Sequence, residues 1–126
     1  MLNTAKKLAE KYHKNQKYGD EPYINHLTRV QKAVKNAGYN EKYQVVAILH
    51  DIAEDTGLNC AYIEKAFGRE IAGAVASITH DVGKNYRVYL EEDAMKNEVS
   101  KVVKFFDVID NLEHSIVFFI EDFMIT

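Results

Sequence analysis

The chain has 126 residues, 16 of them basic and 19 acidic, for a formal charge of −3, and the basic residues are dispersed along it. That length suits one domain, residues 1–126, around one core, and the unclustered charge argues against general nucleic-acid binding. Cys60 is the only cysteine and the first seven residues, MLNTAKK, carry no apolar export signal, so an intramolecular disulfide is excluded and a reduced, cytoplasmic setting is expected.

Helical spacing dominates in chain order. Leu2, Ala5, Leu8, Ala9 and Tyr12 form one apolar stripe, and Ile24, Leu27, Val30, Ala33, Val34 and Ala37 form a second that Gly38 closes. A third helix is predicted from a cap at Asn40 through the run Val45-Val46-Ala47-Ile48-Leu49 into His50-Asp51, ending at Thr56-Gly57. Asn59 caps a short helix reaching Phe67. Gly68 separates it from another that carries Ile71, Ala72, Val75, Ala76 and Ile78. The loop at residues 82–85 precedes helices predicted over 86–95, 99–112 and 114–124. No alternating segment bounded by turn residues stands out, and Pro22 is the only proline. The expected fold is all-α, a bundle of seven or eight helices.

The apolar run 116–120 falls far short of the roughly 20 residues that cross a bilayer, so no membrane partner is expected. Residues 116–124 read first as a closing core helix. A homo-oligomer interface is the alternative if that stripe is left exposed.

His50 and Asp51 are followed at once by Glu54 and Asp55. An imidazole and three carboxylates so close together are costly unless a cation or a proton-transfer task uses them, which points to a metal-dependent hydrolase. Such a site needs nitrogen and oxygen ligands from several elements and an open position for water. His26, His50, Asp51 and Asp107 can supply the ligands, with Asp110 competing for the place of Asp107. Mixed histidine and carboxylate ligation suits Mn²⁺, Fe²⁺ or Zn²⁺. Glu54 lies one helical turn after His50, and Asp55 one turn after Asp51, so either can orient or deprotonate a metal-bound water. Lys14, Lys17 and Lys104 are candidate phosphate contacts. The second His-Asp pair, His80-Asp81, lacks a following acidic pair and runs into Gly83-Lys84, so it reads as a solvated helix end.

Five ordered blocks, His13-Lys14-Asn15-Gln16, Glu21-Pro22-Tyr23-Ile24-Asn25-His26, Ala47 through Thr56, Phe67-Gly68 and Val103 through Leu112, make the chain resemble the hydrolase domain of RelA/SpoT-type proteins over about residues 5–115. The resemblance implies the HD-domain fold, a manganese ion, and removal of pyrophosphate from the 3′ position of guanosine tetra- or pentaphosphate. Residue by residue it implies metal binding by His26, His50, Asp51 and Asp107, catalysis by Glu54 and Asp55, and substrate contact by Asn111. It selects Asp107 over Asp110, which then reads as a surface or supporting carboxylate. Two departures stand out. Residues 16–20 lack the arginine that packs on guanine in these hydrolases, leaving Tyr18 as the stacking surface. Residues 84–90 look more like small stand-alone HD phosphohydrolases. Hydrolysis of another nucleotide, such as a nucleoside monophosphate, is thus one alternative, and a nucleotide-sensing module with a structural metal is another.

Overall fold

The computed structural model describes residues 1–125, with the side chains of all of them except Asp55, Phe118, Phe119, Asp122, Phe123 and Ile125. Its helices are α1 Leu2–Tyr12, α2 Tyr23–Asn36, α3 Glu41–Leu49, α4 Ile52–Thr56, α5 Cys60–Phe67, α6 Arg69–Ile78, α7 Tyr86–Glu92 and α8 Glu98–Ile125, with a 3-10 turn at Ala94–Lys96. The all-α expectation holds.

α3 is the axis of the core. Val45, Val46, Ala47, Ile48 and Leu49 are all fully buried, and a helix apolar on every side must be enclosed by others. α1, α2, α6 and α8 pack against it and bring in Ala5 and Ala9, Leu27, Val30 and Val34, Ala74, and Val103. Truncating Ile48 or Leu49 to Ala in such a core costs about 2–5 kcal/mol.

The structure departs from the sequence reading in five places, the smallest being the helix predicted over 86–95, which ends at Glu92 before the separate 3-10 turn at Ala94–Lys96. The helix predicted from Asn40 to Thr56 is two helices, α3 and α4, with Asp51 between them at φ −102° and ψ 0°. That bridge conformation recurs where backbones turn at active sites, and no Gly or Pro between 41 and 56 announces it. α4 does end as expected, on Gly57 at φ +77°. At the C-terminal side, 99–112 and 114–124 form one helix, α8, because residues 98–125 contain no glycine or proline to interrupt it.

A short hairpin was not foreseen: β1 Lys17–Tyr18 pairs antiparallel with β2 Glu21–Pro22 around Gly19 at φ +60°. Two residues per strand are too few to show an alternating pattern. Lastly, Leu112, Ile116, Val117, Ile120 and Met124 are exposed, so this part of α8 does not close a core among the described residues. Apolar composition made that stretch helical and sticky, but composition does not say what covers it.

Candidate metal centre

Three segments far apart in sequence meet beside α3. α2 begins directly after Pro22, whose fixed φ suits a helix start, and places His26 about one turn in. The break between α3 and α4 holds His50 and Asp51, and the middle of α8 carries Asp107. Neighbours on a continuous helix point about 100° apart. The turn at Asp51 redirects the backbone, and His50 Nε2 lies 3.1 Å from Asp51 Oδ2.

The four groups converge on one point. One donor atom from each of His26, His50, Asp51 and Asp107 lies within 4.8 Å of all the others. Asp107 Oδ1 is 2.9 Å from His26 Nε2 and 3.0 Å from His50 Nε2. Both histidines are 1% exposed and Asp107 is 4% exposed. Two imidazole nitrogens and two carboxylate oxygens aimed together from three segments form a donor set that fits a divalent transition-metal ion.

The electrostatics agree with that fit. Burial pulls the His50 imidazole down, but the Asp51 and Asp107 carboxylates outweigh it and hold the group well above the usual histidine range. Burial pushes both carboxylates up, yet His50 and the hydrogen bonds around them hold Asp107 and Asp51 below the usual carboxylate range. Without an ion, the His50 proton is thus one of the positive charges that offset the carboxylates, beside the Lys104 ammonium.

A ring of side chains orients this cluster. The Tyr23 hydroxyl donates to Asp51 Oδ2, and its ring stacks on His13 at 5.0 Å. His13 is buried and its Nδ1 donates to Gln16 Oε1 at 2.7 Å, so it is a structural residue behind the site. The Tyr18 ring lies flat on His26, with centroids 4.5 Å apart and planes 2° from parallel, and its hydroxyl donates to Asn111 Oδ1 at 2.7 Å. Burial, with Asp110 nearby, pushes the Tyr18 phenol up to about 12, so it remains a donor. Asp110 is buried rather than on the surface. It accepts from His26 Nδ1 at 2.6 Å and from Arg29 Nε at 2.8 Å.

On the α8 side, Lys104 Nζ donates to Asp107 Oδ2 at 3.2 Å and sits 5.5 and 5.6 Å from the Tyr86 and Tyr89 ring centres. Burial lowers this ammonium, and Asp107 more than restores it, so it stays charged. Glu54 is exposed on α4, where its Oε2 accepts from the His80 backbone N–H at 3.2 Å. The Asp55 side chain lies outside the described residues. Lys14 lines an open cleft of 530 Å³ with Lys11, Tyr12, Asn15, Gln16 and Thr56, while Lys17 stands exposed on the hairpin.

Sequence reasoning missed Tyr23 and Arg29. Both lie three residues from His26, one on each side, which is the helical spacing that puts them on its face.

A family model described as HD domain matches residues 5–101. A guanosine-3′,5′-bis(diphosphate) 3′-pyrophosphohydrolase of Danio rerio is 32% identical over 121 residues, covering 89% of this chain and 67% of that protein. The Drosophila melanogaster enzyme of the same name is 31% identical over 99 residues, covering 74% of this chain and 55% of its own length. The chain thus spans little more than half of that relative. A solved metazoan ortholog of SpoT, which hydrolyses ppGpp and plays a role in starvation responses, superposes with a TM-score of 0.76 at 28% identity, covering 89% of this chain and 68% of that one. A Listeria monocytogenes structure superposes at 0.67 with 30% identity, covering 81% of this chain and 67% of the other. Fold, candidate metal-ligand cluster and family model agree, and the chain belongs to the HD-domain family.

Proposed function

We propose that this HD-domain chain is a Mn²⁺-dependent pyrophosphohydrolase that converts guanosine tetraphosphate to GDP and pyrophosphate in the cytoplasm. The observation that carries this reading is the convergence of His26, His50, Asp51 and Asp107 within 4.8 Å. The names of its Danio and Drosophila relatives supply the substrate.

His26, His50, Asp51 and Asp107 would hold the ion, which would supply a water of lowered pKa and draw charge from a phosphate oxygen. Glu54 takes the proton of the attacking water and returns it to the departing 3′ oxygen. A bond forms between the water oxygen and the phosphorus of the 3′-pyrophosphoryl group, and the bond from that phosphorus to the 3′ oxygen breaks. The His80 amide orients Glu54, and Asp55 is assigned as the second carboxylate of the step on the family pattern. Lys104 keeps a positive charge beside the cluster where phosphate charge accumulates. Lys14 and Lys17 are assigned to the outer phosphates. Tyr18 and Asn111 are assigned to the nucleoside, and their mutual hydrogen bond opens when it binds.

One observation favours a second reading, hydrolysis of another nucleotide such as a nucleoside monophosphate. Residues 16–20 contain no arginine, and the nearby Arg29 is engaged with Asp110 and Glu21 rather than offered to a base. A nucleotide panel with the Mn²⁺-loaded chain separates the two. Fastest turnover is expected on guanosine tetraphosphate, with pyrophosphate as product. Faster phosphate release from a monophosphate overturns the substrate assignment. A homo-oligomer through the exposed apolar face of α8 is also part of this reading, and sedimentation of the full chain tests it.

A further inference from the structure

His26 and His50 turn the same ring nitrogen, Nε2, toward the cluster, but they anchor the other nitrogen differently. His50 Nδ1 donates to the Ala47 carbonyl at 2.6 Å, a backbone acceptor one turn earlier in its own helix. His26 Nδ1 lies 2.6 Å from Asp110 Oδ2, a side chain of α8. Asp110 is itself held at both oxygens by one guanidinium: Arg29 Nε donates to Oδ1 at 2.8 Å and Nη2 to Oδ2 at 3.1 Å. The remaining arm of Arg29, Nη1, donates to Glu21 of β2 at 2.5 Å.

This is a chain of three links with a fixed direction. A histidine that binds a metal through Nε2 must carry its proton on Nδ1, and a carboxylate behind the ring fixes that tautomer and the ring's orientation. Asp110 follows Asp107 by one turn of α8, so the same helix places one carboxylate at the front of His26 and another, an acceptor, at its back. A buried carboxylate behind the ring would be costly without a cationic partner. The two-point contact from Arg29 removes that cost and sets the carboxylate plane. Tyr18, flat against the His26 ring, restricts its remaining rotation.

We propose that Asp110, clamped by Arg29, is a positioning residue that holds His26 in the Nδ1–H form and presents Nε2 to the metal. Through Glu21, the clamp ties the metal ligand to the hairpin. The inference rests on the metal-centre reading and assigns Asp110 a place behind the ligand, not among the ligands.

The test uses Zn²⁺, which is diamagnetic, and the full chain labelled with ¹⁵N-histidine. In long-range ¹H–¹⁵N spectra of the zinc-loaded wild type, His26 is expected as the Nδ1–H tautomer with a slowly exchanging proton. Zinc affinity, measured by competition with a chelator, is expected to fall about 10- to 100-fold in Asp110→Ala, the range for loss of a group behind a metal ligand. Asp110→Asn, which keeps an oxygen acceptor, recovers part of that loss, and Arg29→Ala weakens zinc by about tenfold. An Asp110→Ala chain that folds and binds zinc within about twofold of wild type overturns the proposal. So does a wild-type His26 protonated at Nε2, a result that needs no variant to fold. Failure of the wild type to take up zinc overturns the metal-centre reading itself, and the proposal with it.

Discussion

The chain contains the dipeptide His-Asp twice, each time just after an apolar helix, and the two copies have different fates. His50 and Asp51 follow α3. His50 is 1% exposed, and its Nε2 lies between Asp51 and Asp107. His80 and Asp81 follow α6 and are partly or fully exposed. The His80 ring packs on Tyr89 and donates to the Lys84 carbonyl at 2.8 Å, while Asp81 Oδ1 accepts from the Gly83 N–H at 2.9 Å. These bonds organise a loop, so the second pair is more ordered than a merely solvated helix end. The dipeptide therefore carries no chemistry by itself. α2 and α8 bring His26 and Asp107 to the first pair and, among the described residues, no such partners to the second. The second pair also touches α4, where the His80 N–H donates to Glu54 Oε2 at 3.2 Å.

The largest effect that can break this contrast is at the ligands. Asp51→Ala or Asp107→Ala should reduce metal affinity by more than about 100-fold, beyond the range for a positioning group, and remove turnover with it. Metal content by mass spectrometry of desalted protein checks the first, and pyrophosphate release the second. Glu54→Gln should instead retain the metal and slow turnover by roughly 10²- to 10⁴-fold, the usual share of a general acid/base. A Glu54→Gln chain with full activity removes that residue from the mechanism.

A pH series sharpens the comparison further. His50 is raised in the folded metal-free chain, so its contribution to stability is full below its unfolded value and is lost as pH rises through the folded one. Asp51 and Asp107 are lowered, so theirs is full above the unfolded carboxylate value and is lost as pH falls. Both are in place between about pH 4 and pH 6.5, where the metal-free Tm should peak. Because the ion must displace the His50 proton, added metal should raise Tm more at pH 8 than at pH 5.5. An equal rise at both would mean that His50 is not protonated in the free protein. The smallest effect should come from His80→Ala. It loosens the loop but leaves the backbone donor to Glu54, so turnover should fall by less than about tenfold, the equivalent of one ordinary hydrogen bond. Metal affinity should not change.

Much of this was legible in the sequence because local rules governed it. Apolar periodicity located the helices, Gly57 and Gly68 ended them where expected, and the Asn59 side chain caps α5 by accepting from the Tyr62 N–H at 3.0 Å. His26, His50, Asp51 and Asp107 were readable as a set because residue type and family pattern coincided. What escaped was set by distant partners or by short segments. The break at Asp51 has no glycine or proline to mark it, and it became intelligible only once the cluster showed what the two side chains must face. Asp110 and His26 are 84 positions apart, so their bond depends on how α2 and α8 cross. Arg29 carried a local clue in its spacing from His26, but its partner did not. The exposed face at Leu112, Ile116 and Ile120 shows the converse, an apolar pattern that specifies a helix without specifying its cover.

The most direct single measurement pairs bound metal with pyrophosphate release from guanosine tetraphosphate, on the same Mn²⁺-loaded samples of the wild type, Asp51→Ala and Asp81→Ala. If the first His-Asp pair is the metal centre, the wild type and Asp81→Ala each retain an ion and release pyrophosphate, and Asp51→Ala does neither. An Asp51→Ala chain that keeps both, or an Asp81→Ala chain that loses both, would contradict the assignment.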